Sequence, residues 1–143
     1  MKIDPFSREF VRWISWMHAN VYRMIGGATP LNRNTLILTT RGRKTGREIS
    51  KPLLCYRQDG RIYIVASYGG NDSPPAWYLN LVANPEVRVE IGPSRGVYRA
   101  RTLSAEEKQR VWPKLIEIYA AYNDYQRKTS RDIPVVELSP SGG

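Results

Sequence analysis

One cysteine and one histidine are all the thiolate and imidazole that these 143 residues carry. The lone Cys55 excludes an intramolecular disulfide and any metal site built from several thiolates. The lone His18 excludes a histidine cluster for a metal, and a Ser-His-Asp or Cys-His mechanism would have to run through it alone. Acids are also scarce: 13 against 22 Lys and Arg, a net charge of +9. Long apolar runs are missing as well. Arg8, Glu9, Arg12 and Arg23 interrupt the apolar stretch near the N-terminus, which argues against a secretory signal and against a membrane-spanning helix there. A reducing, cytoplasmic setting fits these absences best.

What is there is an ordinary globular balance, 41% hydrophobic and 24% charged, in a length that suits one domain. The basic excess raises the local concentration of anions, whether nucleic acid, acidic lipid or a phosphorylated small molecule. No helix-turn-helix, zinc-finger or RNP-like pattern is present, which argues against nucleic acid.

Along the chain, Phe6, Phe10, Trp13, Ile14, Met17, Val21 and Met24 recur at three- and four-residue spacing before Gly26-Gly27. This predicts an amphipathic helix over 5–25, and residues 1–26 are set apart from a domain over 27–143. With Trp13, Trp16 and flanking arginines the helix either docks on its own domain or lies on a membrane surface. Six short strands are expected, over 35–40, 49–57, 61–67, 86–91, 97–103 and 133–138, with Asp59-Gly60 as a hairpin turn. Asp72 or Ser73 before Pro74-Pro75 should start a helix over 76–83. Ser104 and Glu107 form a capping box, and the helix they start should kink or restart at Pro113 and run to about Lys128. Residues 139–143 read as a loose tail. The sum is an α+β fold around a small antiparallel sheet, closed or nearly so.

Three segments concentrate chemistry. Arg41-Gly-Arg-Lys-Thr-Gly-Arg47 holds two glycines, a hydroxyl and a cluster of cations, which suits either an anion-binding nest or a solvated basic hairpin loop. It is not a Walker A loop, because a Pro-containing strand follows instead of a helix. Ser67-Tyr-Gly-Gly70 leads through Pro74-Pro75 to Ala76-Trp-Tyr-Leu-Asn80, so a strand end, two glycines and a helix N-terminus can approach a flat polar ligand. Trp77 there either stacks on a ring or plugs the core. Tyr119, Tyr122 and Tyr125 share one helix side, as core packing or as a pocket lining.

The segments LILTTRGRKTG, KPLL, DGRIYIVASYGG, PPAWYLNLVANPEVRVEIG, WPKLIEIYAAYNDYQ and RDIPVV, in order from about Leu36 to Val136, closely resemble the deazaflavin-dependent nitroreductase family. The resemblance implies a six-stranded antiparallel split β-barrel with flanking helices. It also implies reduced coenzyme F420 as hydride donor and a nitroaromatic, quinone or activated enone as the small-molecule acceptor. It assigns Arg43, Lys44 and Thr45 to the coenzyme's phosphate and acidic tail, with Arg47 beside them and Pro52 and Leu53 along the same channel. Val65, Ala66, Ser67 and Tyr68 would border the deazaflavin, with Ala76, Trp77, Tyr78, Leu79 and Asn80. Tyr119, Tyr122 and Tyr125 would face the acceptor, Tyr122 closest to it. Ile49 and Tyr68 depart from the pattern, standing where the family leads one to expect basic residues.

The cofactor supplies the hard chemistry, so the absence of a catalytic His or Cys is no obstacle. A tyrosine with its usual pKa of about 10 is a weak acid at neutral pH, which favours orientation of the acceptor over proton donation. Alternative readings are an FMN-dependent split-barrel oxidoreductase, a non-catalytic coenzyme carrier and a basic nucleic-acid-binding protein. The partners expected are the acceptor, a membrane surface touched through the N-terminal helix, and a second copy in a homodimer.

Overall fold

The computed structural model describes residues 34–141; the helix expected over 5–25, His18 and the division at residue 26 lie outside the described residues. The strands are β1 Thr35–Arg41, β2 Glu48–Leu54, β3 Tyr56–Gln58, β4 Arg61–Val65, β5 Glu86–Ile91, β6 Ser94–Thr102 and β7 Val135–Pro140. Three helices accompany them: α1 Ala76–Ala83, α2 Ala105–Ile118 and α3 Ala121–Lys128. The strands form one curled antiparallel sheet in the order β2-β1-β5-β6-β7-β4-β3. The curl brings β2 alongside β4 although the two are not ladder partners.

The alternation of apolar side chains explains how both faces of the central strands are buried. Ile62 and Ile64 of β4, with Val136 and Leu138 of β7, meet Leu36, Leu38, Val87, Val89 and the α1 residues Trp77 and Leu81 inside the curl. The side chains between them, Tyr63, Val65 and Val135, face the other way and pack with Leu115 of α2 and Tyr122 of α3. The run Ile62-Tyr63-Ile64-Val65 is therefore continuously apolar because no face of β4 meets water. Among the described residues no helix is long and apolar enough to cross a membrane.

The differences from the sequence reading are local. The strand expected over 49–57 is two strands, because the chain changes partners at Cys55: β2 pairs with β1, and β3 pairs with β4. The Cys55 N–H meanwhile donates to the Asn34 carbonyl at 2.6 Å. This makes seven strands where six were expected. The gap of 92–96 between two expected strands shrinks to Gly92-Pro93, since Gly92 takes a positive φ of 55° and Ser94 to Gly96 pair directly with β5. The tail is not loose to its end; Ser139 and Pro140 pair with Arg99 and Tyr98.

At Ser104 the capping box forms as expected, and Arg101 adds two bonds to Glu107 at 2.9 and 2.7 Å. Those bonds, with the Ser104 backbone, hold the Glu107 carboxyl down to about 2. Pro113 does not break the helix; the break comes at Tyr119-Ala120, beyond α2. Neither Asp72 nor Ser73 caps α1, whose N-cap is Pro75. Asp72 instead accepts from the Thr129 hydroxyl at 2.8 Å, and the Ser73 N–H donates to Asn71 Oδ1 at 3.0 Å.

Candidate active site

A cleft of about 360 Å³ opens where β2, the end of β4, the turn after it, the start of α1 and the α2–α3 junction converge. Its apolar wall comes from Pro52, Leu53 and Leu54 of β2, Val65 of β4, Pro75 and Trp77. Its polar side comes from Ser67, Tyr68 and Gly69 of the turn and from Tyr119, Tyr122 and Tyr125. Nine residues singled out from the sequence thus meet in one place: Pro52, Leu53, Val65, Ser67, Tyr68, Trp77 and the three tyrosines. Gly69 and Pro75 belong to the glycine turn and the Pro-Pro approach already singled out from the sequence, and Leu54 was missed.

The helix break shapes the tyrosine cluster. Tyr119 ends α2 with extended backbone, while Tyr122 and Tyr125 belong to α3, so the three rings come from two helices. Their centroids lie 5.0, 5.9 and 6.5 Å apart, all at steep angles, the edge-to-face geometry aromatic rings prefer. The Tyr119 and Tyr125 hydroxyls bond to each other at 2.8 Å. Tyr122 is 6% exposed, and its hydroxyl has no hydrogen-bond partner among the described residues. Burial first, and then the neighbouring Tyr119, Cys55 and Tyr125, push its pKa up to about 12. The hydroxyl therefore stays protonated and free to donate at neutral pH. Behind it, burial pushes the Cys55 thiol up to about 11, against a smaller opposing pull from Arg57, and leaves it an inert thiol.

The remaining sequence candidates bracket the cleft without lining it. Ala66 is fully buried in the core; Ala76 is exposed at the helix start and Leu79 is half-buried. The Tyr78 hydroxyl meets that of Thr102 at 3.0 Å. Asn80, only 2% exposed, joins α1 to the basic loop. Its Oδ1 accepts from the backbone N–H and from Nη1 of Arg43, both at 3.2 Å, and its Nδ2 donates to Thr40. The loop itself is tightly wound. Gly42 donates to the Arg47 carbonyl at 2.7 Å, and Gly46, at a φ of 72°, donates back to the Gly42 carbonyl at 2.8 Å. A Cβ on Gly42 would come within 2.8 Å of Thr45 Oγ1, so a side chain there would have to displace that hydroxyl. Arg43, Lys44, Thr45 and Arg47 are all exposed, and none of the three cations has a carboxylate within ion-pair distance among the described residues.

Slot and loop are linked through α1. Trp77 and Asn80 are three residues apart and so share a helix face; the first lines the cleft and the second holds the loop. The apolar wall with Trp77 suits a flat ring, and three exposed cations with no carboxylate within ion-pair distance among the described residues suit an anion. The donor set thus fits a ring with a phosphorylated, acidic tail.

The family model described as F420H(2)-dependent quinone reductase matches residues 13–140. A Mycobacterium tuberculosis protein named F420H(2)-dependent quinone reductase is 39% identical over 131 residues, 86% of this chain and 87% of its own. A solved F420-H2 dependent reductase superposes with a TM-score of 0.70 at 38% identity, covering 75% of this chain and 95% of that one. A second solved structure, described only as a domain-swapped dimer, gives a TM-score of 0.71 at 33% identity, with 88% of this chain and 98% of that one covered.

Proposed function

The chain belongs to the F420H(2)-dependent quinone reductase family, and from that premise we propose that the cleft reduces a quinone held between the coenzyme ring and the three tyrosines. When bound, reduced coenzyme F420 supplies a hydride to an oxidised acceptor. The protein's part is to grip, align and keep water out. Arg43, Lys44 and Arg47 neutralise the phosphate and the acidic tail, with Thr45 as a further donor. Pro52, Leu53, Val65 and Trp77 form the apolar slot for the ring, and Ala66, Ser67, Tyr68 and the α1 residues Ala76, Tyr78, Leu79 and Asn80 frame it. Tyr122 donates its hydrogen bond to a quinone oxygen, while Tyr119 and Tyr125, occupied with each other, wall the acceptor side. Alignment of this kind can supply much of the barrier reduction without any protein acid.

What supports the reading is the shared face of α1, from which Trp77 lines the cleft and Asn80, one helical turn on, holds the basic loop. The test is absorbance and fluorescence of the purified protein with each coenzyme. Reduced F420 should bind at micromolar concentration or below and be consumed on addition of a quinone. Retention of FMN with no F420 binding would overturn it.

The role of Tyr122 is tested separately. Tyr122→Phe keeps the ring packing and removes one neutral hydrogen bond of about 0.5–1.5 kcal/mol, so kcat/KM for a quinone should fall by up to about tenfold. Affinity for the coenzyme should stay put. A hundredfold loss would instead make Tyr122 the proton donor.

The protein is further proposed to act in the cytoplasm as a homodimer with a peripheral membrane contact. The dimer draws support from the solved relative described as domain-swapped. The contact draws support from Trp13, Trp16 and their neighbouring arginines. Sedimentation of the full chain, alone and with anionic vesicles, checks both; a monomer that stays in the supernatant contradicts both.

A further inference from the structure

The turn between β4 and α1 carries an anomaly that the reaction itself does not use. Tyr68, Gly69 and Gly70 follow one another with φ of 46°, 62° and 78°, all left-handed. For the two glycines this is ordinary. For an aromatic residue it is strained, and such strain persists only where the surroundings enforce it. Nothing buries the ring in compensation: Tyr68 is 58% exposed and stands at the rim of the cleft.

The enforcement comes from the far end of the domain. Arg131 donates from Nη2 to the Ser67 carbonyl at 2.8 Å and to that of Ala66 at 3.3 Å, and from Nε to the Asn71 carbonyl at 2.7 Å. Its guanidinium thus grips the turn on both sides of Tyr68. The fork is aimed so completely at those carbonyls that Nη1 is left buried without a partner among the described residues. Thr129 adds a bond from its hydroxyl to Asp72 at 2.8 Å.

We propose that Tyr68 is a specificity-determining residue whose ring narrows the acceptor mouth, and that Arg131 is the positioning residue that holds it there. This rests on the quinone reading above and deepens it: compact quinones are favoured over those carrying a bulky substituent beside the reacting ring. An arginine is suited to the grip because its planar fork reaches carbonyls in two directions at once.

The experiment has two arms. The first needs neither coenzyme nor quinone, so it is independent of the proposed reaction. In ordinary backbone alanine is more stable than glycine, whereas at a left-handed position the order inverts. Tyr68→Gly should therefore melt above Tyr68→Ala; the opposite order would overturn the strained turn. The second arm compares kcat/KM for a compact benzoquinone and for a naphthoquinone bearing a short prenyl chain. In Tyr68→Gly the ratio of bulky to compact should rise about tenfold, the scale on which a pocket discriminates by size. Arg131→Met should raise the ratio in the same direction, Arg131→Lys, which lacks the fork, should leave most of that rise in place, and Arg131→Met added to Tyr68→Gly should change it no further. An arginine that serves only stability would lower the melting temperature and leave the ratio alone, and that result would overturn its positioning role. An unchanged ratio in Tyr68→Gly would overturn the role of the ring. A wild type that consumes the coenzyme with neither quinone would refute the proposed reaction, while the melting order would still decide the turn.

Discussion

Gly70→Ala should be among the most damaging single-methyl additions in this protein, destabilising it by about 2–6 kcal/mol. Two effects combine. Gly70 has a φ of 78°, where an L side chain is strained by about 1–3 kcal/mol. Its Cβ would also come within 2.8 Å of the Tyr125 carbonyl and 3.0 Å of Tyr125 Cα, both backbone atoms that cannot swing aside. Forcing them apart adds about 1–3 kcal/mol. For a domain of this size that amounts to a fall in melting temperature of roughly 6–18 °C. Gly69→Ala is the control. Its φ of 62° is just as left-handed, but a Cβ there meets nothing within 4 Å, so only the strain remains. Were the two variants to melt together, the turn and α3 would not be in the contact described. Gly70→Ala should also weaken catalysis beyond its effect on folding, because Gly70 is where the turn bearing Ser67 and Tyr68 meets the helix bearing Tyr125.

Lys44→Ala should weaken coenzyme binding by about ten- to a hundredfold while leaving the melting temperature of the free protein within a degree or so. The lysine is exposed and packs against no part of the core. A lost charge-assisted contact is worth about 1.5–3 kcal/mol, which converts to that range of affinity. The partner is expected to be a multiply charged tail, so wild-type affinity should fall as salt rises, and the variant should depend on salt less steeply. Lys114→Ala supplies the comparison. Lys114 is also exposed, but it lies on α2 3.9 Å from Glu117, and its removal should change affinity less than about twofold. Equal titrations for Lys44→Ala and wild type at moderate salt would reduce the loop to a solvated hairpin.

Much of this was legible in the chain itself. Periodicity and turn chemistry located α1 to the residue, Ala76–Ala83, and β5 likewise, Glu86–Ile91. The Asp59-Gly60 turn has φ of 53° and 77°, the pair that a tight hairpin requires. The basic loop, the glycine turn and the tyrosine triplet were all visible as candidates. Where the reading slipped, the cause was a long-range partner. Cys55 looks like the middle of a strand until β1 and β4 compete for its two sides. Pro113 looks like the helix break, yet the helix runs on to Ile118 with Leu115 buried against the sheet. Ser139 and Pro140 look like a tail until β6 offers them a ladder.

What the sequence by itself determined is what a few neighbouring residues can decide: which segments alternate, where φ must turn positive, which serine caps a helix, and the surplus of cations in one loop. Each depends on contacts closed within about four positions, so the residues state it wherever they occur. Tertiary structure alone decided that Asn80 would bind a loop 37 positions away and that Arg131 would grip a carbonyl 64 positions away. It likewise left Tyr122, of three similar tyrosines, as the one whose hydroxyl has no partner among the described residues. Such pairings form only after sheet and helices have met the entropy of closing the chain between them, and they depend on distances that no local pattern of residues encodes.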